Sequence, residues 1–453
     1  MKQLYFDQLY TGTQWLTNGV LVEIDAAGNL VSLCESSTPG DAERVPGIAL
    51  PGMPNLHCHA HQRVMAGLAE WSRGDDNFWS WRQLMYRVVN QITPEQLQVI
   101  AAQLYMEMLQ QGYTAVAEFQ YLHHDLKGKP YTDRAEMSLR SIQAAEQVGI
   151  GMTCLPVLYS YSNFAATQPG VEQRRFINNI SGFMPIVESL QQATKDNQNF
   201  QVGVAPHSLR AVSHEQLKEL VEITAGIPRH IHIAEQQKEV EACLAAYGQR
   251  PVAWLQSNIE LNADWCLIHA THLDADETTR LARSEVTVGL CPTTEANLGD
   301  GFFPIHDYQQ QGGLWGIGSD SNVSLNPTEE LRWLEYGQRL QHQQRNVLGE
   351  SHTGTALVAH ALRGGARACG RAIGSLQPGY RADIIVLDQE HPLLYGRHAS
   401  QLLDSWVFAH QNTPINHVMV GGHWQIRDGH HINEQQITTQ FKQVIDALSL
   451  EDL

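Results

Sequence analysis

The 453-residue chain has no C-x-x-C pair and no even set of clustered cysteines; Cys34, Cys58, Cys154, Cys243, Cys266, Cys291 and Cys369 stand singly. That excludes a disulfide framework and a zinc ribbon, and it fits a reducing compartment. Basic residues are scarce, 30 Lys and Arg against 48 Asp and Glu, for a formal net charge of −18. A nucleic-acid or anionic-membrane partner would call for a basic face, so neither is expected, and any anionic ligand must be held by locally placed Arg. No run of about 18 apolar residues occurs, and MKQLYFDQLY has no basic region followed by an apolar stretch, which together give the expectation of a cytoplasmic protein. Internal repeats and low-complexity tracts are missing too, apart from the Gln-rich YGQRLQHQQR, which a solvated helix face explains.

What is present is a chain 43% hydrophobic, long enough to bury a large core. From residue 2 to about 50 the pattern is short and alternating (KQLYFDQLY, NGVLVEID, LVSLCE), and strand character returns in PGYRADIIVLD and INHVMVGGHWQIRDG. Residues 1–50 and 376–430 are therefore expected to form one small β-domain from both termini, with NEQQITTQFKQVIDAL as a terminal helix within 431–453. Between 51 and 375, eight strand-like runs alternate with amphipathic stretches: IALPGMPNLHCH, YTAVAEFQY, IGMTCLPVLY, FQVGVAPHS, RHIHIAEQ, WCLIHATHL, VTVGLCPTT and LWGIGSDSN. One helical stretch, TPEQLQVIAAQLYMEMLQQG, carries Thr93 at its start as a candidate cap. Eight such units fit an α/β fold of the (β/α)₈ TIM-barrel type, whose chemistry sits at the C-terminal ends of the strands.

The polar residues fall at those ends. His57 and His59 close the first run, Tyr121 the second, His207 the fourth, His232 the fifth, His269 the sixth and Asp320 the eighth. Side chains in a strand alternate with period two, so His57 and His59 project the same way while Cys58 points the other. With 22 His in the chain, each singly reads as a satisfied core imidazole, and His123–His124 and His230–His232 are further close pairs. Together His57, His59, His232 and Asp320 supply the nitrogen and oxygen ligands of a metal site with an open position for water. Periodicity does not choose between His230 and His232; position does, since His232 is nearer the strand end and is followed by Glu235, with His230 left as a buried layer residue. His61 has no assignment, and the aromatic cluster Trp71, Phe78, Trp79 and Trp81 reads as local core.

The order H-C-H, H-I-A-E, L-I-H-A-T-H and G-I-G-S-D resembles the amidohydrolase superfamily along the whole chain, and in particular its mononuclear deaminase branch. Where the binuclear branch carries a bridging Lys at the fourth strand, this chain has His207 in A-P-H-S. The resemblance implies a TIM barrel of the amidohydrolase type with a small β-sandwich domain. It also implies one Zn²⁺ per subunit on His57, His59, His232 and Asp320, with Fe, Mn or Co as substitutes, and Glu235 with His269 as the proton-handling pair beside Asp320. The finer motifs H-C-H-A-H-Q-R, W-S-W-R-Q-L, E-F-Q-Y-L-H-H, A-P-H-S-L-R and C-P-T-T-E-A-N-L-G-D-G resemble the formimidoylglutamate deiminases within that superfamily. They imply hydrolytic deimination of N-formimino-L-glutamate in histidine degradation, with Gln62, Arg82, Tyr121, His207 and Arg210 as substrate-binding residues and a homodimer as the assembly. The rival expectations are a deaminase or chlorohydrolase of the same branch acting on a purine, pyrimidine or triazine ring, and a non-catalytic barrel scaffold.

Overall fold

The computed structural model describes residues 1–71, 77–349, 351–409 and 414–448. Residues 72–76 of the Trp71–Trp81 loop and 449–453 of the expected terminal helix segment lie outside the described residues.

Eight parallel strands form the central barrel: β1 (Met53–Cys58), β2 (Tyr113–Gln120), β3 (Gly151–Leu158), β4 (Phe200–Val202, continued by Ala205–Pro206), β5 (Arg229–Ile233), β6 (Trp265–His269), β7 (Thr287–Leu290) and β8 (Leu314–Ile317). Nearly every residue in them is buried, as strands covered on both faces require. β1 to β4 pair in chain order, and so do β5 to β8. Parallel bridges join the two halves: Val204 with Arg229 and Ser208 with His232 at one seam, Cys58 with Asp320 at the other. Both seams run through the polar strand ends. His59 N donates to Asp320 O (3.1 Å) and Asp320 N to His57 O (3.0 Å), while His232 N donates to His207 O (3.0 Å).

The helices that matter below are α1 (Phe78–Val89), α2 (Pro94–Gln110), α3 (Gln237–Tyr247), α4 (Pro292–Leu298), α5 (Thr353–Cys369) and α6 (Glu434–Ala447). α2 begins as its sequence dictates: Thr93 Oγ1 accepts from Gln96 N, the Gln96 side chain accepts from Thr93 N, and Pro94 fills the first turn. α5 packs so closely on β8 that a Cβ at Gly364 would collide with the Trp315 carbonyl. Its end lies under the barrel, where Ala368 joins Leu56, Cys266, Ile268 and Cys291 in a buried cluster. α6 packs on its own barrel: Phe441, Val444 and Ile445 lie against the cluster that holds Leu97 and Ile100 of α2.

The small domain is two sheets from both termini. The four-stranded sheet has the order Leu30–Glu35, Val20–Ile24, Lys2–Phe6, Glu43–Arg44. In the seven-stranded one, Ile384–Leu387 pairs antiparallel with both Ile48–Pro51 and Ile415–Val420, so the late segment completes a sheet begun by the early one. Leu4, Phe6, Val20, Val22, Ile384, Val386 and Met419 share one buried cluster. Among the described residues no helix is long and apolar enough to cross a membrane.

Candidate metal centre and active site

At the C-terminal mouth of the barrel, His57, His59, His232 and Asp320 each offer a ligand atom within 4.8 Å of the others, all four residues buried. His57 Nε2 is 3.0 Å from His232 Nε2 and 3.5 Å from Asp320 Oδ1, and His59 Nε2 is 3.4 Å from the same oxygen. Backbone carbonyls orient two of the rings: His59 Nδ1 donates to Phe119 O (3.0 Å) and His232 Nδ1 to His207 O (3.2 Å). With Nδ1 protonated and engaged, the Nε2 lone pair is turned inward, the usual outer support of a metal-bound imidazole. Burial drives the His57 imidazole down to about 3 and lowers His59 and His232 as well, so the rings are neutral. Burial works against the Asp320 carboxylate, but His57, followed by His269 and His59, outweighs it and holds Asp320 below the ordinary carboxylate range. Three neutral imidazoles and one carboxylate, aimed at one point with no room for four buried lone pairs to satisfy each other, fit a divalent cation.

The backbone at these strand ends is unusual. Ala234, His269, Ala270, Asp320 and Asn322 have positive φ (51°, 68°, 48°, 44° and 62°). Non-glycine residues in that region are held only where the surroundings over-determine them. Around Asp320 and Asn322 the surroundings are a buried hydrogen-bond network: Asn55 Nδ2 donates to Ser319 Oγ (2.8 Å), Ser319 Oγ to Asn322 Oδ1 (2.7 Å), and Asn322 Nδ2 to His59 O (2.8 Å).

Beside the ligands lie Glu235 and His269. His269 Nε2 is 3.7 Å from Glu235 Oε1 and 3.7 Å from Asp320 Oδ2. Burial pushes the Glu235 carboxyl up, although His269 pulls the other way. For His269 burial favours the neutral ring, but Glu235, Glu295 and Asp320 together raise it. The arrangement sets a reluctant carboxylate beside an avid imidazole, too far apart for a direct hydrogen bond and both bordering the same cavity.

The cavity above is lined by His59, His232, Glu235, His269 and Asp320 and by all five expected substrate contacts, Gln62, Arg82, Tyr121, His207 and Arg210. Tyr121 Oη accepts from Gln62 Nε2 (3.1 Å) and lies 2.7 Å from His61 Nε2, which gives His61 a place as support for Tyr121. Arg210 Nη2 is 3.7 Å from Glu239 Oε2 of α3, and the Arg82 guanidinium lies 4.4 Å over the Trp79 ring. Arg82 Nε and Arg210 Nε are both buried with no hydrogen-bond partner among the described residues. Both residues line the same cavity, and buried guanidinium groups left with unsatisfied donors are costly unless an anion compensates them.

Sequence reasoning left out several parts of this wall. Phe78 and Trp81, read as local core, line the cavity together with Met85, Tyr86, Tyr159, Phe176 and Leu298. Glu295 and Asp300 stand within the quoted motif C-P-T-T-E-A-N-L-G-D-G, which offered no pairing to assign them; they form buried clusters with His269. The other close histidines are structural: His230 Nε2 lies 2.9 Å from Ala368 O, His123 Nε2 2.8 Å from Val157 O and His124 Nε2 2.8 Å from Ile177 O.

A closed eight-stranded barrel with a two-sheet companion and a His₃Asp cluster at its mouth defines a metal-dependent hydrolase class, and the chain belongs to the amidohydrolase family, whose model matches residues 48–425. Within that class it is 48% identical to the formimidoylglutamate deiminase of Pseudomonas aeruginosa, over 99% of this chain and 100% of that protein. The crystal structure of an amidohydrolase from Brucella melitensis superposes with a TM-score of 0.94 at 41% identity, covering 99% of each chain. An adenosine deaminase from Xanthomonas campestris with bound zinc shares the fold at 20% identity, with a TM-score of 0.82 over 100% of this chain and 98% of that one.

Proposed function

We propose that this chain hydrolyses N-formimino-L-glutamate to N-formyl-L-glutamate and ammonia, a step of histidine degradation. The observation that carries the reading is that two arginines, Arg82 and Arg210, line the same cavity as the His₃Asp cluster, each with its Nε buried and without a hydrogen-bond partner among the described residues. A substrate with a polar carbon–nitrogen group at one end and two carboxylates at the other matches that division, and the full-length likeness to the Pseudomonas aeruginosa enzyme supports it.

His57, His59, His232 and Asp320 would hold one zinc ion per subunit, which would supply Lewis acidity that brings the pKa of water from 15.7 toward about 7; iron, manganese and cobalt suit the same donors. Arg82 and Arg210, with Gln62, Tyr121 and His207, bind and orient the glutamate carboxylates. Water adds to the formimino carbon, and Asp320 with His269 beside it orients the water and takes up one of its protons. Glu235 gives one proton to the terminal nitrogen and regains the one taken up at Asp320 and His269; the proton of the new hydroxyl follows to the same nitrogen, the carbon–nitrogen bond breaks as the formyl C=O forms, and ammonia leaves in place of an amide ion. The same reading places the protein in the cytoplasm as a homodimer. The test is ammonia release from N-formimino-L-glutamate, with aminopurines and chlorotriazines as control substrates; turnover of the ring compounds alone would reject the reading.

A further inference from the structure

The two nitrogens of His269 keep different company. Nε2 faces the cavity, 3.7 Å from both Glu235 and Asp320, too far for a hydrogen bond to either. Nδ1 lies 3.2 Å from Glu295 Oε1. His269 and the next residue, Ala270, sit in the left-handed region, where the strand no longer sets the direction of the side chain by its pleat. The ring is therefore aimed by what it touches, and the hydrogen bond it makes is to Glu295.

Glu295 is itself fixed. It sits on α4, is 7% exposed, and its Oε1 also accepts from Cys291 N at 2.9 Å. Its backbone is tied on both sides: Glu295 N donates to Cys291 O (2.8 Å) and Asp300 N to Glu295 O (2.9 Å). A carboxylate can only accept, so it requires a proton on Nδ1 and is repelled by a ring that carries its proton on Nε2 alone.

We infer that Glu295 is a positioning residue for the reaction: by accepting from Nδ1–H of His269 it fixes the tautomer of the ring and aims Nε2 at the cavity. The inference rests on the functional reading above, in which His269 faces the reacting atoms. A carboxylate behind an imidazole works through the ring's tautomer and orientation, and its loss typically costs tenfold to a hundredfold.

The test uses the full-length, metal-loaded protein and Glu295→Leu, which removes the one oxygen that accepts from both Cys291 N and His269 Nδ1, beside the conservative Glu295→Gln, which keeps it. In Glu295→Leu metal content should be unchanged, KM for N-formimino-L-glutamate should stay within about twofold and kcat should fall by roughly 10- to 100-fold, with most of that loss recovered in Glu295→Gln. Imidazole ¹H–¹⁵N spectra, with the His269 signals assigned by their absence in His269→Asn, should show Nδ1 protonated in the parent chain and in Glu295→Gln, and its proton shifted or lost in Glu295→Leu. An unchanged kcat in Glu295→Leu, a loss of metal in Glu295→Leu that Glu295→Gln does not restore, or an unprotonated Nδ1 in the parent chain would overturn the inference. If the parent chain fails to turn over the substrate, the functional reading falls, while the spectra still decide whether Glu295 sets the tautomer.

Discussion

His57, His59, His232 and Asp320 stand on or just past the ends of barrel strands, whereas the groups behind and above them come from helices and loops: Arg82 from α1, Glu239 from α3, Glu295 from α4, and Arg210 and Asp300 from connections. The first set is placed by the pleat and by the two seams that close the barrel. The second is placed by packing, and each member depends on a neighbour: Arg210 on Glu239, His269 on Glu295, Arg82 on Trp79. The strand-borne half concentrates donors for a cation, and the other half leaves donors waiting for an anion. A barrel thus divides a site into a rigid reacting end and an adjustable recognition end.

Breaking the strand-borne half should have the largest effect. On the proposed reading Asp320→Asn removes a ligand and a proton acceptor together, so bound metal should fall and activity should drop by about 10⁴-fold, the upper end for a positioned acid–base group. Metal analysis beside ammonia release checks it; retained metal with substantial turnover would mean the cluster is not the reacting centre. Glu235→Gln should keep the metal and lower kcat by about 10²- to 10³-fold, and a near-normal rate would reject its role as proton donor.

The recognition half should respond in KM. Arg210→Met removes charge-assisted hydrogen bonds worth about 1.5–3 kcal/mol, so KM should rise by roughly 10- to 100-fold with a smaller change in kcat. It also leaves Glu239 buried without its cation, so thermal stability should fall as well. An unchanged KM would put the substrate carboxylates elsewhere.

The smallest effect separates support from chemistry. Glu118 of β2 accepts from Ala60 N (2.8 Å) and Tyr105 Oη (2.9 Å) just behind the His57–His59 strand, and burial raises its carboxyl from the ordinary 4.5 to about 7. A carboxyl raised on folding binds more protons in the native state between those values, so its contribution to stability is intact below pH 4.5 and declines as pH rises through 7. The decline is about 3 kcal/mol at most. Denaturation at pH 5 and pH 8 should show a smaller loss for Glu118→Gln than for the parent chain, and equal losses would mean that Glu118 does not carry it.

The sequence was readable where one periodicity governs. Alternation places His57 beside His59, and eight strand-like runs ending in polar residues announce a barrel with one active face. Alternation fails between His230 and His232, which share a face; what separates them is depth, since His230 bonds to Ala368 at the end of α5 while His232 lies at the mouth. It fails altogether for Glu295, because the contact with His269 crosses from β6 to a seven-residue helix after β7, and no local pattern encodes that meeting. Phe78 and Trp81 look like core for a physical reason too: a cavity wall and a core both bury aromatic rings, and only the fold shows which side is open.

The central claim is that the cation-binding and anion-binding halves act on one molecule. The most direct measurement is ammonia release from N-formimino-L-glutamate by the zinc-loaded protein, beside a chelator-treated sample and the same sample given zinc again. The account predicts release that vanishes with the chelator and returns with the metal. No release from the fully loaded protein, with an aminopurine turned over in its place, would contradict it.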